Sequence, residues 1–200
     1  MPGKRCAVPP GRLFWRHQED ITLAKKHLNG MTEMARIEEL IADLRSGTLD
    51  VRRAATAKLG TSGKEAVEPL IAVMQTGDND LRWYAANALV LIGSPAIEPL
   101  LTAMRGTDEI DLRRYAAAAL AEIGEPAIEP LIDIIARAER DLMPFAVMAL
   151  CRIGEPTVEP LLRLMESPDP DTQERAALIL WRMGEPGAGP LAGALKVKDR

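Results

Sequence analysis

Asp111-Leu112-Arg113-Arg114-Tyr115-Ala116-Ala117-Ala118-Ala119-Leu120-Ala121-Glu122-Ile123-Gly124-Glu125-Pro126-Ala127-Ile128-Glu129-Pro130-Leu131-Ile132 decides the fold, because the chain repeats it. Pro69, Pro99, Pro130, Pro160 and Pro190 recur at intervals of 30, 31, 30 and 30 residues. Asp50, Asp80, Asp111, Asp141 and Asp171 keep the same beat, each 19 residues before its proline. Five copies in one phase read as a repeat array over residues 50–200.

Each unit reads as two helices. The first opens at the Asp, a residue suited to capping. Its apolar positions fall one, five, eight, nine and twelve residues later, as in Leu81, Ala85, Ala88, Leu89 and Ile92. At about 100° per residue these share one face. Gly93 ends the helix, as glycine commonly does. The second helix follows Pro95 and carries the stripe Ile97, Leu100, Leu101 and Met104. Pro99 belongs near its first turn, where a missing N–H costs little. One hairpin cannot bury both stripes alone, but stacked neighbours can.

The expected fold is therefore all-α: a right-handed α-solenoid of five two-helix repeats and an N-terminal half-repeat. The half-repeat covers 31–49, where Ile37, Leu40 and Ile41 precede Val67, Leu70 and Ile71 by 30 residues. The repeats run 50–79, 80–110, 111–140, 141–170 and 171–200, the last ending in a weak, fraying cap around Ala188–Ala194.

Composition agrees. Of the 200 residues, 47% are hydrophobic and 4% aromatic, so aliphatic side chains must fill the core. The 15 Pro and 15 Gly mark helix ends at a fixed period. A net charge of −4 gives no reason to expect nucleic acid. No apolar run reaches membrane-spanning length. Cys6 and Cys151 lie far apart, which suits a reducing cytoplasm better than a disulfide or zinc framework. Residues 1–30 carry six Lys/Arg against two Asp/Glu, and 31–200 carry 19 against 27. The first segment reads as a basic, disordered extension, or as sequence upstream of a start at Met31 or Met34.

The units resemble HEAT repeats, specifically the HEAT-like class named for phycobilin lyase subunits. The resemblance rests on Asp80-Leu81-Arg82, Ala85, Ala88-Leu89, Ile92-Gly93 and Pro95-Ala96-Ile97-Glu98-Pro99-Leu100-Leu101, with their equivalents. It implies a binding surface on the helix that opens with Asp-x-Arg. An iron hydroxylase of this class carries His-Glu pairs three and four residues after the Asp. Here those positions hold Arg53-Ala54, Trp83-Tyr84, Arg114-Tyr115, Pro144-Phe145 and Glu174-Arg175. The array has no histidine, so no metal or other cofactor is expected.

Other chemistry is equally thin. Cys151 has no histidine in the repeats to act as base. Glu68, Glu98, Glu129 and Glu159 complement helix N-termini. Arg52, Arg82 and Arg113 read as a ladder pairing with Asp80, Asp111 and Asp141, broken at Met143 and Gln173.

The back of the first helix is different. Positions three, seven and ten hold Arg53, Ala57 and Gly60; Trp83, Asn87 and Val90; Arg114, Ala118 and Ala121; Pro144, Met148 and Cys151; Glu174, Leu178 and Trp181. A solvated back should be charged, yet this one is largely apolar. Tyr84, Tyr115 and Phe145 sit on its shoulder. Trp, Tyr, Met and Arg together have the make-up of an interface core.

The expectation is a non-catalytic adapter that binds a protein or peptide on this surface. Trp83, Tyr84, Tyr115, Phe145, Met148 and Trp181 would anchor the partner, Asn87 would give a directional hydrogen bond, and Arg53 and Arg114 would take acidic groups. Two alternatives stand beside it. One is a phycobilin-lyase-like subunit holding a tetrapyrrole in the aromatic groove. The other is weak self-association of an otherwise monomeric chain. Neither nucleic acid nor membrane is expected as a partner.

Overall fold

The computed structural model describes residues 30–198, so the basic extension, Cys6, His17 and His27 lie outside the described residues. The fold is an α-solenoid. A leading helix, α1 (30–46), precedes five hairpins. Their first helices are α2 (Leu49–Thr61), α4 (Asn79–Ile92), α6 (Ile110–Ile123), α8 (Met143–Ile153) and α10 (Pro170–Arg182). Their second helices are α3 (Val67–Thr76), α5 (Ile97–Arg105), α7 (Ile128–Ala136), α9 (Val158–Leu164) and α11 (Glu185–Lys198). The described residues contain no strand.

Two leucine columns form the spine. Leu59, Leu89, Leu120, Leu150 and Leu180 come from the first helices, and Leu70, Leu100, Leu131, Leu161 and Leu191 from the second; all are buried. Ala55, Ala85, Ala116, Ala146 and Ala176 bring the first helices close to this spine. α1 closes the N-terminal end with Ile37, Leu40 and Leu44. At the other end α11 carries Pro190 inside it and buries few side chains, Leu191 among them.

In the last four hairpins the turn is made at a glycine in the same phase. Gly93, Gly124, Gly154 and Gly184 hold φ between 71° and 81°, a region that side chains avoid. In the middle hairpins a single 3-10 turn follows, as in Ser94–Ala96, and the α-helix starts at Ile97. Pro99 is then the third helical residue, where its N–H would have no acceptor within the helix. The helix therefore needs no kink.

Two sequence expectations need correction. The first helices do not open at the repeated Asp. α2, α4, α6 and α10 begin one residue earlier, leaving Asp50, Asp80, Asp111 and Asp171 in the first turn. There a carboxylate complements the helix dipole. The side-chain caps are Asp78, which accepts from the Leu81 N–H at 2.9 Å, and Asp169, which accepts from Asp171 and Thr172.

The arginine ladder exists, but its partners differ: Arg52 pairs with no aspartate and reaches the Arg45 carbonyl near the end of α1 at 3.4 Å. Arg82 Nε donates to the Met74 carbonyl at 2.9 Å, and Arg113 Nε to the Met104 carbonyl at 3.1 Å. Each arginine thus caps the end of the preceding second helix, where carbonyls lack intrahelical donors. Arg82 also pairs with Glu109 at 2.6 Å, rather than with Asp111. Arg113 pairs with Asp108 and reaches only the backbone carbonyl of Asp141. In the last repeat Gln173 donates instead to the Ser167 carbonyl at 2.6 Å, in the loop beyond α9. Met143 leaves the α7–α8 junction without this rung. There Ala138 adopts φ 54°, and the Glu139 N–H closes the helix end on the Ile134 carbonyl.

Rungs on the other surfaces also join repeats. Arg105 grips Glu139 with two hydrogen bonds, Arg163 meets Glu129, and Arg152 meets Glu122. These are exposed pairs, worth little singly.

Arg113 is 8% exposed and Arg114, its neighbour, is on the surface. Arg113→Ala is expected to destabilise the protein by about 1–3 kcal/mol, because it strands a buried carbonyl. Arg114→Ala should stay within about 0.5 kcal/mol of the parent. Urea unfolding midpoints of the two variants check this.

Candidate functional site

The first helices lie side by side, and their spacing is set by what sits in the seams. Between α2 and α4, Gly60 admits Leu91: a Cβ on Gly60 would meet the Leu91 Cβ at 2.5 Å. In α6 the corresponding phases hold small residues, with Ala117 and Ala121 buried and Ala118 half-buried. Gly60 and Ala121 are thus buried spacers, although the sequence placed them on the open face. Between α8 and α10 the residues are larger, with Val147, Leu178 and Trp181. Helix separation follows side-chain size at the contact. α10 meets α8 only lightly and packs mainly on α9 and α11.

Two clefts result on this surface. The first lies between α2 and α4 and holds about 260 Å³. Arg53, Thr56, Ala57, Trp83, Tyr84, Asn87, Val90 and Leu91 line it. Four of the expected site residues therefore meet here. Trp83 is 51% exposed and stands edge-on to Tyr84, with ring centroids 4.9 Å apart at 83°. Tyr84 is only 7% exposed, so it is an inner wall rather than a surface anchor. On the other side of Tyr84 the Arg52 guanidinium sits 5.8 Å from the ring centroid. The Asn87 amide donates to the Trp83 carbonyl at 2.7 Å, which leaves its side-chain oxygen as the directional group.

The second cleft lies between α8 and α10 and holds about 430 Å³. Met143, Pro144, Val147, Leu178, Ile179 and Trp181 make it apolar, and Arg140 and Arg182 border it. Trp181 is 69% exposed. Of the expected anchors only Trp181 is here. Arg114, Tyr115, Phe145 and Met148 line neither cleft. Tyr115 and Phe145 are half-buried against the core, Met148 is exposed, and Arg114 is held at 3.4 Å by Asp111.

Sequence reasoning missed Arg140, Met143, Val147, Arg182 and Leu91. A signal for the second cleft was present. The fourth unit loses the ladder arginine at Met143 and gains Pro144, so its first helix starts late and packs unlike the others.

Catalytic chemistry finds little here. Among the described residues no group of three His, Cys, Asp or Glu side chains could hold a metal. Cys151 is half-buried, and that burial pushes its thiol above the ordinary value, opposed by the nearby Arg182 charge. A raised thiol is less ionised at neutral pH and so a poorer nucleophile. No described helix is long and apolar enough to cross a membrane.

The HEAT-repeat pattern agrees with the fold. The sequence pattern of HEAT repeats matches residues 37–121 and, in a second register, 67–143. A designed armadillo repeat protein, solved in complex with the peptide (KR)4, is similar at 18% identity. That likeness covers 76% of this chain and 88% of the designed one, with a TM-score of 0.31. No curated protein matches.

In a Cys6→Ser variant, iodoacetamide should label Cys151 several-fold more slowly than it labels glutathione at neutral pH. The rate should still be rising at pH 9, because the raised thiol ionises late. Mass spectrometry against time and pH reads both.

Proposed function

The chain belongs to the HEAT-repeat family, and we propose that it is a non-catalytic adapter that docks a protein or peptide on its first-helix surface. One observation carries this reading. Trp83, Leu91, Met148, Leu178 and Trp181, all large and apolar, stand exposed on the first helices. A soluble fold gains nothing by leaving these groups in water, since each forfeits burial worth about 1.5–3 kcal/mol. Exposed apolar patches framed by polar groups are the usual mark of a partner surface.

The second helices offer a contrast. Their outward positions are polar or charged, as with Glu68, Gln75, Glu98, Thr102, Glu129 and Asp133. The two sides of the solenoid are thus chemically different, and the apolar side is the one suited to docking. The clefts supply depth for single bulky side chains of the partner. Trp83 and Trp181 stand at opposite ends of the row, so a long partner segment could engage both.

Trp83→Ala combined with Trp181→Ala should keep the far-ultraviolet circular dichroism spectrum and abolish retention of the native partner in a pull-down. Undiminished retention by the folded double variant would overturn the reading.

A further inference from the structure

Most of the described arginines are paired with a carboxylate, and every arginine that lines a cleft is not. Nine described arginines have a carboxylate within 4.0 Å: Arg36, Arg82, Arg105, Arg113, Arg114, Arg137, Arg152, Arg163 and Arg175. Arg53, Arg140 and Arg182 have no ion pair or side-chain hydrogen bond among the described residues, and all three line a cleft. Arg45 shares that state, and Arg52 has no carboxylate and reaches only the Arg45 carbonyl at 3.4 Å; neither lines a cleft. Residues 31–200 carry 27 Asp/Glu against 19 Lys/Arg, so carboxylates were in ample supply. Three of the five described arginines without a carboxylate partner thus line the two apolar clefts.

We infer that the partner segment is acidic: a bulky apolar side chain for each cleft, flanked by Asp or Glu that reach Arg53 at one end and Arg140 and Arg182 at the other. This rests on the docking surface proposed above and gives its ligand a chemistry. Guanidinium suits the task, because its planar fork takes a carboxylate through two parallel hydrogen bonds. A partner side chain seated on Trp181, Leu178 and Met143 would exclude water beside the pair and so strengthen it. The same arrangement rejects basic segments, since three unpaired cations would face them at the site of burial. The net negative charge elsewhere on the array also opposes non-specific capture of acidic chains, so recognition depends on the clefts.

The test uses the full chain and a phage-displayed random dodecapeptide library. Enriched peptides are expected to carry Asp or Glu on either side of Trp, Phe, Leu or Met. A synthesised winner should bind about tenfold or more weakly to an Arg140→Glu, Arg182→Glu double variant. Its affinity should fall as salt rises. Lys64→Glu, a charge reversal away from both clefts, should leave binding unchanged. Enrichment of basic or uncharged peptides that still need Trp83 or Trp181 would overturn the acidic partner and leave the docking surface standing. Winners indifferent to both tryptophans and to the arginine reversals, or no enrichment at all, would overturn both.

Discussion

Everything in this structure depends on aliphatic contact between successive hairpins. A single hairpin has an apolar stripe on each helix and nothing to cover them. Stacking joins the stripes into two leucine columns, one through Leu59, Leu89, Leu120, Leu150 and Leu180 and one through Leu70, Leu100, Leu131, Leu161 and Leu191. Alanines and a glycine keep the layers close. The polar devices are subordinate to this packing. Arg82 and Arg113 finish the ends of second helices, Gln173 ties down the loop beyond α9, and positive-φ glycines make the turns between helices.

The aromatic residues are almost absent from that core. Leucine, isoleucine, alanine, valine and methionine fill it, and among the described residues only Tyr84 of the rings is buried. The described tryptophans, Trp83 and Trp181, face outward, each in a cleft between first helices. The second cleft exists because the stack changes character at α8. Met143 supplies no ladder rung, α8 starts late, and Val147, Leu178 and Trp181 replace the small residues that α6 holds at the same phases. A local departure from the repeat thus produces the larger docking cleft.

Much of this was legible in the sequence. The period, the helix pairs, the glycine stops and the leucine positions follow from spacing alone, because burial imposes the same residue at the same phase in each unit. The errors share a cause. Periodicity gives the direction of a Cβ, not the reach of a long side chain or the distance to a neighbouring helix. So Tyr84 turned inward under Arg52, Gly60 and Ala121 became spacers, and the ladder arginines chose carbonyls over the expected aspartates. Arg140 and Arg182 escaped notice because their meaning comes from two repeats meeting at one cleft.

The central claim is a division of labour between a leucine spine that holds the fold and an apolar outer face that does not. Helix α10 carries both, with Leu180 in the spine and Leu178 and Trp181 exposed. Urea unfolding of matched variants measures the division directly. Leu180→Ala should cost about 2–5 kcal/mol, while Leu178→Ala with Trp181→Ala should cost less than about 1 kcal/mol. Equal losses from the two variants would contradict the account, for the outer face would then be part of what holds the solenoid together.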